Sequence, residues 1–100
     1  MNRIEIEQME DLLTKLNKAI NMISIVAFHL KGEDRKDALA IRKMMKELRA
    51  KVNGALNFNK PVELMDSYGA IVLGLAILYS TLADQRIRDD VVKIQHLLSI

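Results

Sequence analysis

The chain has no cysteine and no tryptophan, a single proline, and only two tyrosines and two phenylalanines in 100 residues. Without cysteine there is no disulfide framework and no thiolate metal site, which fits a reducing, cytoplasmic setting. Few aromatics and one proline leave Leu, Ala, Met, Lys, Glu and Arg to dominate, and that composition reads as all-α. A strong excess of either charge is also missing. The formal net charge of +2 supplies no overall drive toward nucleic acid. Glu5, Glu7, Glu10 and Asp11 stand where a secretory leader would be apolar.

The chemistry-bearing residues are equally sparse. The two histidines have no metal-ligand spacing, and serines and threonines are scattered without a paired base. The expectation is a protein with no catalytic residues, no metal and no cofactor. Asp89 and Asp90, near the start of the last helical segment, are read as helix-dipole partners.

What is present is helical periodicity. Ile6, Met9, Leu13, Leu16, Ile20, Ile23, Ala27 and Leu30 alternate spacings of three and four, widened by Leu12, Ala19 and Val26. This predicts a helix over 3–31, ended by Gly32 as a left-handed C′ residue. Asp34 is the expected cap of a second helix over 34–56, with Ala38, Ile41, Met45, Leu48, Val52 and Ala55 on its seam. Asn57, Asn59 and Pro61 make the clearest break, and Pro61 suits the first turn of a third helix over 61–83. A fourth over 87–98 places Ile87, Val91, Ile94 and Leu98 on one face. Short connections make sequential helices antiparallel. The reading is one domain over 1–100, an antiparallel up-down four-helix bundle.

The third segment is the unusual one. From Ser67 to Ala83 (SYGAIVLGLAILYSTLA) no residue is charged. At a rise of about 1.5 Å per residue the run is about 25 Å long, short of a hydrocarbon core of roughly 30 Å. Asp66 and Asp84 bound it, and no lysine or arginine cluster sets an orientation. No membrane role is expected. Leu64, Tyr68, Ile71, Leu75, Leu78 and Leu82 form a seam for the interior, which leaves Met65, Val72, Leu73, Ala76, Ile77 and Tyr79 on the flanks and back. Those six are the candidate partner-binding residues. Gly69 and Gly74 each cost a helix roughly 1 kcal/mol relative to alanine, so they point to close approach by another helix.

Two further features have competing readings. Arg42, Lys46 and Arg49 share one face at i, i+4 and i+7 and are a candidate anion site for phosphate, but with no stacking aromatics or glycine-rich loop beside them a solvated helix face is the preferred reading. His29-Leu30-Lys31-Gly32 resembles the signature of histidine phosphotransfer domains, but the histidine is one residue late. That rotates it about 100° and leaves Phe28 in the required place, so no phosphorelay role is expected.

Leu56-Asn57-Phe58-Asn59-Lys60 with Glu63-Leu64 resembles the Leu-Asp-Phe…Gly-Glu-Ile junction of the flagellin-specific export chaperones, the FliS family. Ala83-Asp84…Arg88-Asp89-Asp90-Val91 is similar to that family's turn into its last helix, and Leu12-Leu13…Leu16-Asn17-Lys18-Ala19-Ile20 to its opening helix. The likeness runs over roughly 10–100 and departs at Asn17, where the family has tyrosine. It implies a non-catalytic helical chaperone that covers amphipathic pieces of a flagellin-like secreted partner in apolar grooves. The competing expectation is a phage or mobile-element protein that self-associates through the uncharged helix, and inhibits a host factor or sequesters a small phosphate-bearing ligand.

Overall fold

The computed structural model describes residues 1–99, and in it the chain forms four helices with no strand among the described residues. They are α1 (Arg3–His29), α2 (Gly32–Phe58), α3 (Met65–Thr81) and α4 (Gln85–Leu98). Each helix packs on its neighbours in sequence, and α4 packs back on α1, while α1 and α3, like α2 and α4, make no close backbone approach. The result is an all-α, bundle-like body with extents of 44 × 20 × 19 Å.

The helix ends are set by side chains that periodicity does not reveal. Asn2 Oδ1 accepts from the Glu5 amide at 2.8 Å and starts α1. At the other end α1 stops at His29, not Lys31, because its last carbonyls find a donor in the next helix. Arg35 donates to the Ala27 and Phe28 carbonyl oxygens at 3.0 and 3.1 Å. Gly32 is left-handed as expected (φ 59°), but it opens α2 instead of closing α1. Asp34 therefore lies in the first turn of α2, beside Glu33, and is not its cap.

Helix α2 outlasts its expected end at residue 56. Asn59 takes the left-handed conformation (φ 51°, ψ 42°), and the Lys60 amide donates back to Ala55 O at 3.1 Å, which closes the helix two residues later. Pro61 does not open α3. A residue preceding proline is driven out of the helical region, and residues 60–64 form a non-helical connection. The first turn of α3 begins at Met65, whose amide donates to Glu63 Oε1. It ends at Thr81, short of residue 83, and Asp84 caps α4 by accepting from the Arg86 and Ile87 amides at 2.8 and 3.3 Å. The first turn of α4 holds no acidic residue, so Asp89 and Asp90 are not dipole partners. Asp89 accepts from Gln85 Nε2 at 2.8 Å and Asp90 pairs with Lys93 at 3.9 Å.

The interior is wholly apolar among the described residues. Leu16, Ile23, Met45, Leu48, Ile71, Leu75, Leu78 and Ile94 are its largest fully buried side chains. Fully burying each such group contributes about 1.5–3 kcal/mol. The seams read from spacing match this core throughout α2, and in α3 and α4 from Ile71 and Val91 onward, with Leu64, Tyr68 and Ile87 half-buried. In α1 they match only from Leu16 onward, since Ile6, Met9, Leu12 and Leu13 stay half-buried.

Candidate functional site

The local reason for an unusual surface on α3 lies in how narrow its buried stripe is. Ile71, Leu75 and Leu78 are buried, with Leu82 just past the helix end. Tyr68 and Leu64 are half-buried at the start, and the Tyr68 hydroxyl donates to the Leu98 carbonyl oxygen at the end of α4. A helix of 17 residues that seats only this stripe must turn most of its circumference outward. Four of the six candidate partner-binding residues are large apolar side chains on that outer side: Met65 is 68% exposed, Leu73 62%, Ile77 52% and Val72 44%. Ala76 is exposed between them, as are Gly69, Ala70 and Ser80.

Tyr79 belongs elsewhere. It is half-buried at the α3–α4 junction, with the Arg88 guanidinium carbon 4.2 Å from its ring centroid. Its ring is thus engaged by α4 and forms the border of the outer face. The glycines also separate. A Cβ on Gly74 would meet Ile41 Cγ1 at 3.1 Å and Met44 Cε at 3.3 Å, so its close approach is to α2 within the same chain. Gly69 has nothing within 4 Å and opens onto the outer face.

The basic residues of α2 do not form an equivalent site. Arg49 donates to Asn17 Oδ1 at 3.2 Å and so is fastened to α1. Lys46 is exposed, while Arg42 is partly buried with its Nε enclosed and unpartnered. His29 is exposed at the end of α1, its ring edge-on to Phe28 with centroids 5.5 Å apart. No group of three or more potential metal ligands is clustered among the described residues. Among the described residues no helix is long and apolar enough to cross a membrane.

One feature went unread in the sequence. A groove of about 460 Å³ lies between the first half of α1, the 61–65 segment and the end of α4. Its signal was a mismatch in length. The apolar seam of α1 runs on from Leu16 back to Ile6, whereas α4 is a helix of only 14 residues against 27 for α1.

Fold and surface together define a class: an all-α, bundle-like protein whose third helix presents to solvent an apolar face with Asp66 as its one charge. In comparisons with family models, with curated proteins and with solved structures, nothing matches this chain.

Proposed function

We propose that this chain is a non-catalytic binding protein of the cytoplasm, an antiparallel up-down four-helix bundle that covers an amphipathic segment of a protein partner. In line with its resemblance to the flagellin-specific chaperones, the partner is a flagellin-like secreted protein held before export. The observation that carries the reading is the outer face of α3, where Met65, Val72, Leu73 and Ile77 stand exposed on one short helix. A large apolar surface of this kind marks an interaction site. An amphipathic helix laid on it buries apolar side chains on both sides. The exposed lysines of α2 govern the rate of encounter more than the final affinity.

Side-chain contacts between helices support the up-down arrangement. Lys51, late in α2, donates to Ser67, early in α3, at 2.7 Å, and Thr81, at the end of α3, donates to Asp34, early in α2, at 3.5 Å. The amino terminus donates to Asn59 Oδ1 at 3.2 Å, which ties the start of α1 to the end of α2.

The test is capture from the source cell with mass-spectrometric identification, run in parallel on the wild type and on Leu73→Asp and Ile77→Asp. The expected outcome is an amphipathic, exported partner recovered by the wild type alone, with the helical circular dichroism of the variants unchanged. Partner recovery that survives both substitutions, or variants that unfold because α3 needs those side chains for its core, would sink the reading. Sedimentation of the wild type separates self-association from a complex with a different protein.

A further inference from the structure

The groove at the open end of the bundle is a second surface, which meets the outer face of α3 only at Met65. Its floor is apolar, made by Met9 and Leu12 of α1, Val62 and Leu64 of the connection, Met65 of α3 and Leu98 of α4. The groove begins where α4 stops, with Leu98 and Ser99 at one end, and runs along α1 to Glu5. The span of α1 from residue 5 to residue 15 is about 15 Å, close to three turns of helix. Along it the three-four seam of α1 continues without the cover that α4 gives farther on, and its apolar residues Ile6, Met9, Leu12 and Leu13 are partly, not fully, buried.

The charged residues that border the groove leave one acidic group unpaired. Asp11 is neutralised by Lys15 at 2.9 Å, and both border the groove. Glu5 also borders it and takes part in no ion pair among the described residues. Glu63, between the groove residues Val62 and Leu64, is likewise outside every such pair, whereas Asp66 borders a different hollow with Met44 and Glu47. The nearby cations Lys51 and Lys60 border a second hollow beside exposed Phe58, which shares Pro61 and Val62 with the groove. An apolar floor of helical spacing with a net acidic rim is complementary to an amphipathic helix flanked by lysine or arginine.

We propose that this groove seats a basic amphipathic helix of about three turns from a partner protein, continuing the line of α4 along the first half of α1. Leucine-type side chains of that helix fill the space over Met9 and Leu12, and its cationic flank faces Glu5.

The probe is a 14-residue fluorescein-labelled peptide with leucines at three-four spacing and lysines beside them, compared with the same peptide carrying glutamates. Fluorescence polarisation with the full chain should show saturable binding of the lysine peptide and about tenfold weaker binding of the glutamate peptide. Leu12→Lys should weaken the lysine peptide by tenfold or more, a loss of burial at the floor. Glu5→Lys, at a residue outside the core, should shift the preference toward the glutamate peptide by about fivefold. Leu73→Asp should leave both affinities unchanged, which distinguishes this groove from the outer face of α3, so that either surface can fail alone. Absence of saturable binding by the folded wild type overturns the proposal. So does loss of binding in Leu73→Asp but not in Leu12→Lys, or a wild-type dimer in sedimentation that Leu12→Lys dissociates, which would make the occupant a second copy.

Discussion

Helices α2 and α3 meet the core in the same way and meet water in opposite ways. Each buries a three-four stripe: Ala38, Ile41, Met45, Leu48, Val52 and Ala55 in α2, and Ile71, Leu75 and Leu78 in α3. Beyond the stripe, α2 exposes Lys36, Lys43, Lys46, Glu47 and Lys51, with Leu39 and, at its last residue, Phe58 as its large exposed apolar side chains. Beyond its own stripe α3 exposes Met65, Val72, Leu73 and Ile77, with Asp66 as its one charged residue. Folding demands the stripe and places no demand on the opposite side. The charged back of α2 is what solubility alone selects. The apolar back of α3 works against solubility, so its explanation must come from what the protein does.

The comparison can be broken from either side. The largest effect should come from the shared stripes. Leu48→Ala and Leu75→Ala each empty a fully buried site and should each cost about 2–5 kcal/mol in urea denaturation. A loss confined to Leu48 would mean that α3 is held loosely, and that its two sides are less distinct than the burial suggests. The second effect concerns the outer sides. Leu73→Asp and Ile77→Asp in α3 should change stability by about 0.5 kcal/mol or less, as surface substitutions do, while removing partner binding. Lys43→Asp and Lys46→Asp in α2 should change association by a few-fold at low salt and leave dissociation nearly untouched. Equal losses of binding from both helices would show that the charged back of α2 is also part of the interface.

Spacing made the inward sides legible, since a three-four seam and a core are nearly the same statement. Ile71, Leu75, Leu78, Val91, Ile94 and Leu98 are buried as their pattern demands. The helix ends were less legible, because they depend on which neighbour is nearby in space. Arg35 closing α1 by reaching back to Ala27 and Phe28 is a contact between two helices, and nothing local in Lys31-Gly32 announces it. The exposure of Leu73 and Ile77 could be read, since a single stripe cannot use the whole circumference of a helix. The half-buried seam at Ile6, Met9, Leu12 and Leu13 could not, because periodicity states which side faces inward and not whether another helix reaches that far.

The smallest effect should come from the two glycines of α3, which sort its sides residue by residue. Spacing treats Gly69 and Gly74 alike, as helix-interior glycines that each cost roughly 1 kcal/mol relative to alanine. Their surroundings differ. Gly69 faces open space, so Gly69→Ala should recover that cost and raise stability by about 0.5–1 kcal/mol. At Gly74 the added methyl meets Ile41 and Met44 of α2 at 3.1 and 3.3 Å. Met44 can shift its flexible end, but Ile41 is β-branched and buried, and so gives way less readily. Gly74→Ala should therefore fall short of the gain at Gly69, and thermal denaturation of the two variants side by side gives the difference directly. If both gain equally, α2 and α3 are not in close contact at this point and the stripe of α3 is wider than its buried residues indicate. If Gly69→Ala gains stability yet weakens partner binding, the small residue on the outer face is there to admit the partner's helix.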